Sequence, residues 1–159
     1  MGFESNFNMN DIIKNHEAFM NNVIESMKEA MILALIDVVN LAKSTNTYTD
    51  RTNNLRSSIG GVVYHGGQMV HSHFEASGKG AEGDGKDGES KGLELAKEKA
   101  SEVEVDGFVC VVVAGEHYAR YVENKGFDVV TGSFLQFGGI LEEKLKTVEE
   151  VFGINFNKS

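Results

Sequence analysis

The chain has 159 residues, 24 acidic against 15 basic side chains, a formal charge of −9, 18 glycines, one cysteine and neither proline nor tryptophan. At about 100–200 residues per domain this is one domain, 1–159, long enough to bury a hydrophobic core. The acid excess argues against a sequence-independent nucleic-acid binder, one cysteine excludes a disulfide framework or a multi-cysteine zinc site, and no run of ~18 apolar residues is present to span a membrane.

Residues Met1 to Asn10 lack the basic start and apolar stretch of a signal peptide, and Asn6 stands where a myristoylation signal after Gly2 needs Ser or Thr. The expectation is a soluble domain made in the cytoplasm. Residues 10–43 then read as one long helix, with apolar side chains at Ile12, Phe19, Val23, Met27, Ala30, Ala34, Val38 and Leu41. Asn10 or Asp11 is positioned to cap its start, and Lys43 suits the negative end of its dipole. Met31 to Ile36 is apolar nearly all round, so this stretch is enclosed, either by the fold or by another subunit.

Residues 44–54 are polar and rich in turn formers, an exposed loop. Ile59 to Phe74 carries strand residues interrupted at Gly66-Gly67, a hairpin signal. The segment 77–92 holds Gly78, Gly80, Gly83, Gly85, Gly88 and Gly92 among charged residues and reads as a mobile loop insert, with a short helix at Leu93 to Ala100. Glu102 to Val105 alternates, and Phe108 to Ala114 is continuously apolar. This predicts a strand exposed at its start and buried on both faces later, or two strands divided at Asp106-Gly107. Helical turns follow over 116–123. In the last helix, Ser133 to Gln136 reads as a capping box, Phe134, Phe137, Leu141, Leu145, Val148 and Phe152 form the apolar stripe, and Gly153 is the stop. Gly138-Gly139 inside it predicts a kink or a close backbone approach. The fold class is α+β: a long N-terminal helix and a C-terminal helix packed on a small antiparallel sheet, with a flexible Gly-rich loop.

Chemical motifs are sparse. Gly78 to Gly83 fits G-x-G-x-x-G, and Gly80 to Lys86 approaches a P-loop but continues with Asp87 where Ser or Thr is needed for magnesium. Six glycines in a short stretch produce such matches by composition, so the segment reads as a loop. His71 and His73 share one face of a strand, with Glu75 on the same face and His65 nearby. An exposed polar face opposite Val70 and Phe74 is the plainer reading. Cys110 lies within an apolar run and reads as a buried, inert thiol. Glu116-His117 reads as capping, and the acid pairs Glu142-Glu143 and Glu149-Glu150 as solvated helix surface. No catalytic constellation, metal site or cofactor motif is expected.

Two segments carry a resemblance. One is Thr52 to Ile59, a polar loop running through Leu55-Arg56-Ser57-Ser58-Ile59 into the first strand. The other is Ala114 to Glu123, where a strand ends at Ala-Gly and Tyr118-Ala119-Arg120-Tyr121-Val122-Glu123 follows, with Phe134-Leu135 opening the last helix. In this order they resemble the small neck, or head–tail joining, proteins of long-tailed bacteriophages, over most of the chain. The chain departs from that pattern at Asn124-Lys125-Gly126-Phe127, where the family has a Gly-Thr turn and a proline-containing entry to the last helix, and in its long 77–92 segment.

The resemblance implies a non-catalytic virion protein, made in the host bacterial cytoplasm. It would form a homo-oligomeric ring between the capsid portal, or head completion ring, and the tail, contacting other neck and tail proteins while DNA passes through the lumen without specific binding. Leu55, Ile59, Tyr118, Val122 and Phe134 would be packing or interface residues, with Ser58 and Ala119 in the matched segments and Arg56 and Glu123 as a candidate ion pair within or between subunits. A phage tail completion or terminator protein is one alternative. The others are a small metal- or nucleotide-dependent enzyme using His71, His73 and the Gly-rich loop, and a soluble adaptor with no phage connection.

Overall fold

The structure is a computed structural model, and it describes residues 8–45, 48–76, 78 and 82–156. Helix α1 spans Met9–Ser44 and is capped by Asn8, whose side chain accepts from the Asn10 N–H, so the cap lies just ahead of the expected Asn10 or Asp11. A single turn, α2 (Asn54–Ser57), leads into strand β1 (Ile59–His65) and its hairpin partner β2 (Gln68–His73). Gly66 and Gly67 both take positive φ (56° and 77°), the conformation a two-residue turn between right-twisted strands requires. Helix α3 (Lys86–Ser101) crosses to strand β3 (Phe108–Ala114). Helices α4 (Ala119–Asn124), α5 (Thr131–Phe134) and α6 (Phe137–Phe152) complete the chain.

The sheet has the order β2-β1-β3, antiparallel throughout. One face carries Ile59 and Val63 with Cys110, Val112 and Ala114. It packs on Leu35, Val38, Val39 and Ala42 of α1, with Leu55, Ala119 and Val129 closing the cluster. The other face carries Val62, Val111 and Val113 and packs on Ala96 and Ala100 of α3. Burying each of the larger aliphatic side chains is worth about 1.5–3 kcal/mol, so these two layers hold the body together. Helix α6 runs antiparallel to α1: Lys144 pairs with Asp37 at 2.8 Å, and the Phe152 ring meets Phe19 edge-on.

Four expectations from the sequence change. The 77–92 segment is not a loop throughout, because α3 begins at Lys86, and Gly88 and Gly92 are buried with Ala96 and Ala100 at intervals of four residues. Residues 77 and 79–81, including Gly80, lie outside the described residues. Glu102 to Val105 is not a strand: Glu102 ends α3 and only Phe108–Ala114 joins the sheet. The Ser133–Gln136 capping box does not form. Ser133 is buried inside α5, and Gln136 precedes α6 without a side-chain cap. Finally, Gly138 and Gly139 face open space, so no backbone approaches them; the helix is instead broken just before them, between α5 and α6.

The buried glycines are a packing requirement. A Cβ on Gly92 would overlap the Ser58 carbonyl oxygen and come 2.7 Å from the Phe74 ring, and one on Gly88 would overlap the Asn54 backbone. Gly92→Ala therefore has the overlap of a forced core insertion, about 1–3 kcal/mol, opposed by about 1 kcal/mol of helix propensity. Gly139→Ala has the propensity gain alone. Chemical denaturation is expected to find Gly92→Ala destabilised and Gly139→Ala slightly stabilised.

Candidate functional site

The two segments that carry the resemblance are far apart in sequence and interlocked in space. Ser58 joins them. Its carbonyl accepts from the Gly115 N–H at 3.1 Å, its hydroxyl accepts from the Glu116 N–H at 3.2 Å, and the hydroxyl donates to the Leu55 carbonyl at 2.8 Å. Helix α3 seals this joint from outside, with Gly92 so close that a Cβ on Gly115 would lie 2.5 Å from the Gly92 Cα. Leu55, Ser58, Ile59 and Ala119 are buried, and Tyr118 and Val122 pack partly buried against the same cluster. These six residues are brought together, and four of them face inward, where no partner can reach them.

The remaining three separate. Phe134 is not a core residue: it is 50% exposed, its ring stacked on Phe137 with centroids 6.2 Å apart. Arg56 lies over the Tyr48 ring at 5.9 Å, and its backbone N–H donates to Asp50. Glu123 turns to the segment after α4. Its Oε1 accepts from the Val130 N–H (3.0 Å), the Thr131 N–H (3.1 Å) and the Thr131 hydroxyl (2.9 Å). It thus caps the start of α5. Burial alone would raise the Glu123 pKa, but the donors from Val130 and Thr131 outweigh it and hold the carboxyl below its ordinary value. Glu116, read from the sequence as a cap, is a buried carboxylate whose Oε1 accepts from Lys91 of α3 at 3.2 Å, while Lys91 also reaches Asp87 at 2.8 Å. Sequence reasoning missed Lys91, although its place one residue before Gly92 puts it beside the joint.

The histidines are not on an exposed polar face. His71 and His73 lie opposite Val63 and Gly61, on the α1 side of the sheet. Both are half-buried and their rings are near-parallel at 6.4 Å. Burial, with smaller contributions from Lys43 and His71, outweighs the attraction of Glu75 and lowers the His73 pKa, so the ring is neutral at pH 7. His65 stacks on Phe108 at the far end of the strand, 4.4 Å between centroids. Among the described residues no group of three His, Cys, Asp or Glu side chains is placed to hold a metal ion. Burial pushes the Cys110 thiol up to about 12, which leaves almost no thiolate at neutral pH.

The apolar surface lies elsewhere. Met9, Ile12, Ile13, Phe19 and Met20 are exposed along the first half of α1. A second group, Tyr121, Phe127, Phe134 and Leu135, surrounds the α4–α5 corner, with Leu135 78% exposed. No helix among the described residues is long and apolar enough to cross a membrane.

Two measurements check this account. Glu123→Gln is expected to lower stability by about 1–2 kcal/mol at pH 7, the scale of hydrogen bonds to a charged acceptor. A carboxyl whose folded pKa is depressed stabilises above its unfolded pKa and loses that contribution as pH falls through the folded value. The gap between variant and parent should therefore close as pH drops below the ordinary value of 4.5. Cys110 should resist alkylation at pH 8 in the folded protein and react once denatured; rapid native labelling would contradict the burial described.

Comparison with known protein families, with characterised proteins and with solved structures finds no match to this chain.

Proposed function

We propose that the chain is a structural virion protein of a long-tailed bacteriophage neck, a ring-forming subunit that connects the capsid portal or head completion ring to the tail. The observation that carries this reading is the interlocking of its two motif segments. Leu55-Arg56-Ser57-Ser58-Ile59 and the run from Gly115 to Val122 are hydrogen-bonded through Ser58 and share one core cluster. The sequence likeness thus falls on residues that cooperate physically. The two exposed apolar groups, on the α1 arm and at the α4–α5 corner, add to it. Different patches at separate places suit head-to-tail association, which closes into a ring when the rotation permits. A formal charge of −9 suits a lumen through which DNA slides without adhering.

In this role the protein works by geometry and carries out no chemistry. Its partners are further copies of itself and the adjoining neck and tail proteins. Deleting the gene from the phage genome that carries it should yield lysates holding filled heads and separate, complete tails by electron microscopy. Normal virions would refute the neck role. Tails of uncontrolled length would instead assign the chain to tail completion or termination.

A further inference from the structure

Strand β2 is seated on the body by two titratable side chains. Of its six residues only His71 and His73 are half-buried; Gln68, Met69, Val70 and Ser72 are exposed. The register sets this choice. A bulge between Val63 and Tyr64 places His71 opposite Val63 and His73 opposite Gly61, so the histidines take the α1 side of the sheet and the apolar Val70 is left exposed. Each ring buries its Nε2, and neither Nε2 has a hydrogen-bond partner. A neutral imidazole tolerates this, because its proton can sit on Nδ1 and leave Nε2 bare. A charged imidazolium carries a proton on both nitrogens, so its Nε2–H becomes a buried, charged donor without an acceptor, a costly way to leave a polar group unpaired. The two rings are near-parallel with centroids 6.4 Å apart, so two charges there also oppose each other.

We infer that His71 and His73 form a pH-sensitive latch: neutral, they seat β2 against α1, and charged, they release β2 while α1, α3 and the β1–β3 pair stay in place. The fold allows so local an opening. β2 is an edge strand paired with β1 alone, and both core clusters are built without any of its residues. The chain is tethered just beyond it, by Phe74 on the α3 side and by the Lys43 Nζ, which donates to the Glu75 carbonyl at 2.9 Å. The charged groups around the latch do not cancel its response. Glu75, exposed after β2, attracts a charged His73, but burial together with Lys43 of α1 and the neighbouring His71 outweighs it. Glu89 of α3 acts on Lys43, and β1 presents only Val63 and Gly61. A histidine whose folded pKa is lowered, as at His73, lends its stability above the unfolded value of 6.5 and loses it as pH falls below that value. The inference follows from the hairpin alone and does not rest on the neck reading.

The test is amide hydrogen exchange of the full chain, read by mass spectrometry at pH 7.5 and 5.5 and corrected for the intrinsic pH dependence of exchange. Both values lie above the ordinary carboxylate range near ~4, so the acids stay ionised. After that correction, peptides covering β2 are expected to exchange roughly tenfold faster at pH 5.5, about one unit below the unfolded histidine value, for each ring that stays neutral when folded. Peptides covering β3 and α3 are expected to show no comparable change. In His71→Phe/His73→Phe, whose rings are of similar size and take up no proton, the β2 acceleration should vanish. Exchange of β2 that ignores pH in the parent overturns the inference. Acceleration that survives in the double variant overturns it too, since another group is then responsible, as does acceleration of β2 and β3 together, which is global unfolding. If the double variant does not fold, NMR of the parent's imidazole protons decides: His71 and His73 must charge in step with the opening of β2, and charging with β2 still closed overturns the latch. None of these outcomes bears on whether heads and tails join in the deletion phage, so the two readings fail separately.

Discussion

The structure depends on three backbones meeting without side chains between them: Ser58 at the start of β1, Gly115 at the end of β3, and Gly92 in the middle of α3. Where the sheet leaves its ladder, buried N–H and C=O groups must still be paired. Ser58 does this with its carbonyl and its hydroxyl, taking the N–H groups of Gly115 and Glu116. The carbonyl is free to meet the Gly115 N–H because α3 presents hydrogen instead of a side chain at residue 92, where a Cβ would come 2.4 Å from the Ser58 oxygen. The same approach brings Ala96 and Ala100 onto Val62 and Val113, which builds the second layer of the core. It also sets Lys91 beside the buried Glu116, so the one carboxylate enclosed at the joint has its counter-charge. Packing, hydrogen bonding and charge are satisfied together there, and a change in any one disturbs the other two.

Much of this was legible in the sequence, and what was not has identifiable causes. The long helix, the Gly66-Gly67 hairpin, the Phe108–Ala114 strand and the Gly153 stop all follow from periodicity or from a backbone need that one residue type meets. The glycine-rich segment misled because composition and spacing give opposite answers. Glycine among charges reads as an unfolded linker, yet Gly88, Gly92, Ala96 and Ala100 recur every fourth residue, the spacing that lays small side chains along one side of a helix. The apolar run of β3 correctly indicates covering on two faces, but it does not indicate a central strand. The centre is β1, whose Gly60 and Gly61 look weak for a strand and are required because Phe74 and Leu35 press on them from opposite sides. Of the residues singled out as packing or interface positions, Leu55, Ser58, Ile59 and Ala119 are interior. The pattern that made them stand out is a pattern of packing, and the same segments also carry two exposed side chains, Tyr121 and Leu135.

The acid excess resolves in a similar way. Counted together, the acids imply only a well-solvated surface. Two of them have specific internal tasks. Glu123 holds the chain's turn into α5 by gathering two N–H groups and a hydroxyl on one oxygen, and Glu116 locks α3 to the β3–α4 junction through Lys91. Both lie within the motif segment Ala114 to Glu123. The corner that exposes Tyr121, Phe127, Phe134 and Leu135 is therefore fixed from beneath by the ionised Glu123 together with the apolar packing of Val129 and Val130. Protonating Glu123 weakens that hold, since a protonated carboxyl gives up part of its acceptor capacity.

The absence of proline has its clearest meaning in α1. Over Met9–Ser44 the helix contains neither proline nor glycine, the residues at which long helices commonly bend. Its second half is clamped between the sheet and α6, and its first half projects from that clamp as the same unbroken rod. An arm on a flexible linker would let a bound partner wander relative to the body. An arm that is the continuation of the core helix transmits orientation, because rotating it requires repacking Leu35, Val38 and Val39 against β1. Whatever covers Ile12 and Ile13 is thereby held at a fixed angle to the body.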